Sequence, residues 1–198
     1  MPRKTCPNCQ RPLPVCYCSA LVQVTNKTKV LIIQHPLEQK HPFNTGRMAH
    51  LCLSNSELIV AEKLSESKLT HILNKSSTLI YPSFDWLPNT LEIMPHTQDS
   101  ANLSYIQQLI VIDATWKKSK KILHLHPTLQ KLPRLQLKGD LISHYQIRKT
   151  TVSNGLSTLE SIVKALSDIE PNGGFEAMLQ PFDMMINLQN RWAKQSDL

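Results

Sequence analysis

The hydrophobic positions of this 198-residue chain fall into short runs separated by helical periodicities. Val30-Leu31-Ile32-Ile33 is apolar at four successive positions, as in a strand buried on both faces of a parallel sheet. Leu58-Ile59-Val60-Ala61, Thr78-Leu79-Ile80-Tyr81 and Leu109-Ile110-Val111-Ile112 repeat the pattern, and Leu135-Gln136-Leu137 is a weaker fifth case. Between these runs the spacing predicts helices over 47–53, with Met48, Leu51 and Cys52 on one face, over 64–73, and over a Lys-rich stretch at 115–125. Leu159, Ile162, Val163 and Leu166 mark a further helix face, and 182–192 has helical spacing that predicts a tail packed back on the body. Alternating strands and helices predict an α/β fold, a mainly parallel sheet with helices on both faces. Residues 83–107 form a long polar connection with little pattern, either a lid or a poorly packed surface segment.

Composition narrows the class. With 41% hydrophobic and 19% charged residues the chain reads as globular. Nothing approaches the roughly 18 successive apolar residues of a membrane span. Met1-Pro2-Arg3-Lys4-Thr5 lacks the apolar run of a secretory signal, so a cytoplasmic protein is expected. The net charge of +7 is uneven: residues 1–150 carry +10 and residues 151–198 carry −3. A basic body suits a polyanion, since each neutralised phosphate releases counterions; a solubilising surface charge is the plainer alternative.

Four of the five cysteines, Cys6, Cys9, Cys16 and Cys18, stand within the first eighteen residues. Four thiolates complete a closed tetrahedral zinc shell, which is structural and not catalytic. Cys6-x2-Cys9 has knuckle spacing, and Cys16-x-Cys18 places two thiols on one side of an extended segment. Four unmetallated, redox-active thiols are the competing reading. The chain is therefore expected to divide into a zinc-binding segment, 1–24, and a larger α/β domain, 25–198. Cys52 lies on an apolar helix face and reads as a core thiol.

In an open α/β sheet, ligands sit at the carboxyl ends of strands. Asp113 follows an apolar strand directly, and Trp116 comes three residues later. Lys117, Lys118, Lys120 and Lys121 follow, with Arg134, Lys138, Arg148 and Lys149 downstream. A carboxylate, an aromatic plate and a basic field together suit a base handled on a phosphate chain. Singly, Asp113 reads as a helix cap, Trp116 as core and the lysines as a solvated face. Asn44 or Thr45 can cap the helix near 47, and Gly46 keeps its N-terminus open to an anion. Ser157-x-x-Glu160 is a capping box.

The ordered set Cys-x2-Cys, Cys-x-Cys, Gln34-His35-Pro36-x-Glu38, Asn44-Thr45-Gly46-Arg47, Asp113-Ala114-Thr115-Trp116, Tyr145-x-x-Arg148 and Leu156-Ser157-Thr158-Leu159-Glu160 strongly resembles the DTW-domain family of tRNA-uridine aminocarboxypropyltransferases. The resemblance implies transfer of the 3-amino-3-carboxypropyl group from S-adenosylmethionine to N3 of a tRNA uridine. It also implies a SPOUT-like fold with a C-terminal knot at the cofactor site. On that basis Asp113 is the candidate base or a cofactor contact, and Trp116 walls the methionine arm or stacks on the target base. Thr115 joins the cofactor contacts. By position, the adenine slot falls to Tyr81, Pro82, Leu135 and the loop before Ser157. Thr45, or the helix N-terminus at Ser157 and Thr158, is the candidate donor to the cofactor carboxylate. Arg47, Lys117, Lys118, Lys121 and Arg148 are the candidate tRNA phosphate contacts. A SPOUT-type RNA methyltransferase and a non-catalytic zinc-containing RNA-binding module are the alternatives; a monomer is expected.

Overall fold

The computed structural model describes residues 4–88, 91–93, 103–137 and 156–196. Six strands, β1 (Lys29–Gln34), β2 (Ser56–Val60), β3 (Ser77–Ile80), β4 (Glu92–Ile93), β5 (Gln108–Asp113) and β6 (Arg134–Leu135), form one sheet in the order β2-β1-β5-β3-β6-β4. Every pairing is parallel. All five strands expected from the apolar runs are present. The sixth, β4, is a two-residue strand inside the connection that carries no hydrophobic pattern. It completes the edge beside β6, where Arg134 is buried and donates to the Pro88 carbonyl at 3.0 Å.

The central strands alternate sides residue by residue, because successive side chains of a strand point to opposite faces. Val30, Ile32, Leu109 and Val111 enter one core, and Leu31, Ile33, Ile110 and Ile112 enter the other. The first core is closed by α2 (Thr45–Cys52), α6 (Thr158–Ile169) and α7 (Gln180–Ser196); the second by α3 (Glu66–Ile72), α4 (Trp116–Leu125) and the single turn α5 (Pro127–Gln130). Another single turn, α1 (Pro36–Gln39), follows β1. Helices thus cover both faces, as expected. Cys52 is fully buried in the first core.

Chain direction fixes where a ligand can sit. From β1 the chain moves outward to β2; from β5 it moves the opposite way to β6. The helices that follow these two neighbouring strands lie on opposite faces, α2 in one core and α4 in the other. Their carboxyl ends therefore bound a topological switch point, the place where open parallel sheets bind ligands. Residues 138–155, with Lys138, Tyr145, Arg148 and Lys149 among them, lie outside the described residues.

The N-terminal segment does not hang free of the body. Cys6, Cys9 and Tyr17 belong to the same buried cluster as Phe182 and Met185 of α7, and the Ser19 hydroxyl lies 3.6 Å from the Met184 sulfur.

Candidate functional site

Gln34 and Asp113, the last residues of β1 and β5, face each other in register at the switch point. The Gln34 side-chain amide donates to the Asp113 carboxylate Oδ2 at 2.7 Å and to Asn44 Oδ1 at 2.8 Å. The Thr158 hydroxyl, in the first turn of α6, donates to the other carboxylate oxygen at 2.6 Å. Asp113 is therefore oriented from two sides and is not a cap for α4, whose N-cap is Thr115. The anion at the open N-terminus of α2 is this same carboxylate: a Cβ on Gly46 would stand 2.4 Å from Asp113 Oδ2. Only glycine lets the helix and the acid approach this closely.

Hydrogen bonding fixes the orientation of the two amides. Asn44 Oδ1 accepts from the Arg47 N–H at 2.8 Å, and its Nδ2 donates to the Glu38 and Gln39 carbonyls. Asn44 therefore presents an acceptor to Gln34, and Gln34 must present its NH₂ to both Asn44 and Asp113. This leaves Gln34 Oε1 fully buried with no partner among the described residues. An orphaned buried acceptor costs about 1–3 kcal/mol unless a donor reaches it. Gln34 was not among the residues singled out for the site, because an uncharged amide at a strand end carries no pattern of its own.

Trp116 is half-buried and turns to the segment after β3. Its ring meets Tyr81 edge-on at 5.8 Å and Phe84 at 6.2 Å. The Tyr81 hydroxyl lies 2.9 Å from the Ser119 hydroxyl, and Trp86 stacks on His124 at 4.8 Å with Lys120 over its ring. The connection after β3 thus meets α4 through aromatic contacts over residues 81–86. Pro82 is half-buried beside them, and Thr115 is exposed. Leu135 is fully buried in the core, and Ser157 spends its hydroxyl on the capping box with Glu160. Thr45 is buried in the first turn of α2. The structure thus brings Asp113, Thr45 and Thr158 to one place and sets Tyr81, Pro82 and Trp116 together at another.

Basic side chains divide similarly. Lys118 pairs with Glu38 at 2.8 Å and Lys121 with Glu62 at 2.9 Å, while Lys117 is exposed. Lys121, followed by His35, holds the Glu62 carboxyl below its ordinary range. Arg47 is half-buried, and its Nε has no partner among the described residues.

Cys6, Cys9, Cys16 and Cys18 converge, with all four sulfurs within 4.8 Å of one another. A metal–sulfur bond of about 2.3 Å sets tetrahedral sulfurs about 3.8 Å apart. Cys6 and Cys18 stand at 3.7 Å and Cys9 and Cys16 at 3.6 Å, too far for disulfides and close to that edge. Backbone N–H groups of Cys9 and Asn8 draw the Cys6 thiol down to about 6, whereas burial pushes the Cys16 and Cys18 thiols up. The cluster can hold a metal ion.

These features define an α/β protein with a site at the switch point of a parallel sheet and a four-thiol cluster docked on its last helix. A model of the DTW domain matches residues 3–190, and the chain belongs to this family. It is 32% identical over 177 residues to tRNA-uridine aminocarboxypropyltransferase 2 of Drosophila melanogaster, covering 85% of this chain and 67% of that protein. The protein of that name from Macaca fascicularis is 31% identical, covering 94% of this chain and 64% of its own length. tRNA-uridine aminocarboxypropyltransferase A of Arabidopsis thaliana is 24% identical, with 97% and 83% covered. The chain thus spans about two thirds of the length of the fly and macaque proteins. No solved structure gives a significant match.

Proposed function

We propose that this chain transfers the 3-amino-3-carboxypropyl group of S-adenosylmethionine to N3 of a uridine in tRNA. The relatives' names supply the reaction, and the switch point supplies a site that suits it. The observation that carries the reading is the orphaned Gln34 Oε1 beside the Asp113 carboxylate. A buried anion next to a spare acceptor matches a cationic group bearing N–H donors, such as the ammonium of the cofactor's methionine arm. Asp113 and Gln34 are assigned to that arm, with Thr158 and Gly46 setting the position of the acid. Trp116, Tyr81 and Pro82 are assigned to the adenosine side of the same cofactor.

In the reaction the uridine N3 attacks the methylene carbon that joins the amino-acid arm to sulfur. The new N–C bond forms as the C–S bond breaks. The bonding pair stays on sulfur, the sulfonium becomes the neutral thioether of methylthioadenosine, and the N3 proton passes to the Asp113 carboxylate or to solvent. The residues here act by holding the donor so that the arm's methylene, not the methyl, meets the base. A SPOUT-like knot around the cofactor and a cytoplasmic location belong to the same reading. So does a division into clasp and catalytic domain near residue 24. The parallel sheet favours the fold, and no helix among the described residues is long and apolar enough to cross a membrane.

The test is the nucleoside by-product. Protein, S-adenosylmethionine and unmodified tRNA are expected to release methylthioadenosine, resolved by chromatography. S-adenosylhomocysteine in its place would reassign the chain as a methyltransferase. tRNA binding with no cofactor affinity in calorimetry would make it a non-catalytic RNA-binding module.

The metal assigned to the clasp is zinc, on the chemistry of four thiolates. Cys6→Ser is expected to reduce bound zinc from about one equivalent to near none and to expose residues 4–18 to faster amide exchange. Elemental analysis checks the first effect and exchange mass spectrometry the second. A native preparation without stoichiometric metal refutes the assignment.

A further inference from the structure

A cleft of about 1110 Å³ lies between the clasp and the segment that follows β1. Clasp residues from Cys9 to Tyr17 line it, together with residues 39–42 and Gln189 of α7. Four basic side chains, Lys4, Arg11, Lys40 and His41, line it, and no acidic residue appears among its described lining. Prolines 12, 14 and 42, with Leu13, give it apolar surface between those charges. Leu13 is 50% exposed.

Asn44 is also among the residues that line this cleft. Asn44 Oδ1 accepts from Gln34 at 2.8 Å, and the same Gln34 nitrogen donates to Asp113 at 2.7 Å. Two hydrogen bonds therefore separate the cleft from the carboxylate at the switch point. Alternating cationic and apolar surface is what an unpaired nucleic acid strand binds, phosphates on the charges and bases on the apolar faces.

The basic field of α4, by contrast, is partly cancelled, because Lys118 and Lys121 are paired with Glu38 and Glu62. Lys4 and Lys40 are exposed and form no ion pair among the described residues. We propose that the clasp-side cleft is the groove that holds the phosphate backbone of the substrate tRNA next to its target uridine, with Lys4 and Lys40 as the phosphate contacts. This inference rests on the tRNA reading above. It gives the four-thiol cluster a role in substrate binding: the metal would order the clasp residues that line the groove.

The experiment compares wild type with the double variant Lys4→Glu/Lys40→Glu, and with Lys117→Glu/Lys120→Glu on α4. All four positions carry solvent-exposed side chains, so the folds should survive. Fluorescence anisotropy with unmodified tRNA is read across a salt series, and calorimetry reads S-adenosylmethionine. The cleft variant is expected to bind tRNA at least about tenfold more weakly. Its salt slope should fall by about 1.5, since each lost phosphate contact removes about 0.7–0.9. Its cofactor affinity and metal content should match wild type. Unchanged tRNA affinity in the cleft variant, with loss only in the α4 variant, overturns the groove while leaving the transferase reading intact. A wild-type protein that neither binds tRNA nor releases methylthioadenosine removes both. A cleft variant that keeps tRNA affinity but loses S-adenosylmethionine affinity marks a small-molecule site and overturns the groove as well.

Discussion

Asp113→Asn is expected to fold normally and to turn over about 10³-fold more slowly, within the range for removing one positioned ionisable group. The isosteric amide can still accept from Gln34 with its oxygen while its NH₂ meets Thr158, whose hydroxyl can turn to accept. What disappears is the negative charge. Asp113→Ala is the less informative variant, because it strands the Thr158 hydroxyl and one N–H of Gln34 in a buried place. Each such loss costs about 1–3 kcal/mol. Methylthioadenosine release, cofactor affinity and melting temperature are the three measurements to make on the Asn variant. A loss expressed mainly as weaker S-adenosylmethionine binding identifies the acid as the anchor of the cationic arm. A loss confined to kcat, with affinity intact, identifies it as the base at N3. Wild-type turnover would remove Asp113 from the chemistry altogether.

The second large effect comes from a residue with no side chain. Gly46→Ala should destabilise the protein, although alanine in a helix is ordinarily worth about 1 kcal/mol more than glycine. Here the added carbon would lie 2.4 Å from Asp113 Oδ2 and 2.6 Å from its Cγ. The carboxylate cannot swing aside without breaking its bonds to Gln34 and Thr158. Overpacking costs about 1–3 kcal/mol, and the lost hydrogen bonds add to it, so the steric term wins. For a chain of this size a net loss of about 1–2 kcal/mol lowers Tm by roughly 3–6 °C. Turnover should fall by about 10²-fold, the scale set by a misplacement of one ångström at a reacting centre. An alanine variant that melts higher than wild type and keeps its activity would show that the acid has room to move, contrary to the geometry described.

The comparison of sequence with structure is uneven in an informative way. The central strands were legible because burial on both faces demands uninterrupted apolar runs, as in Val30 to Ile33 and Leu109 to Ile112. The helix starts were legible because Asn44 and Ser157 cap by local hydrogen bonds that depend on sequence neighbours alone. β4 was not legible: two residues, Glu92 and Ile93, leave no period to detect, and their pairing with β6 is set by tertiary contact. The aromatic contacts of Phe84 and Trp86 with α4 also escaped, because they follow a loop path with neither helical nor strand spacing. At the site, Asp113 announced itself as a charge at the end of an apolar run. Gln34 occupies the equivalent place one strand away, and its meaning depends on a register that only the sheet provides. The lysines of α4 looked uniform in sequence; their acidic partners come from distant segments, 80 and 59 residues away.

The seating of the clasp has a consequence for how the molecule is made. Its cysteines are made well before α7, yet that helix supplies part of the surface that receives Tyr17 and Ser19, and Met184 lies 165 positions downstream of Ser19. Until α7 is made, the nascent clasp lacks that part of its seat, while its own thiols are already present to gather it. A metal captured early would fold this end in advance, and the finished helix would close over a knuckle already formed.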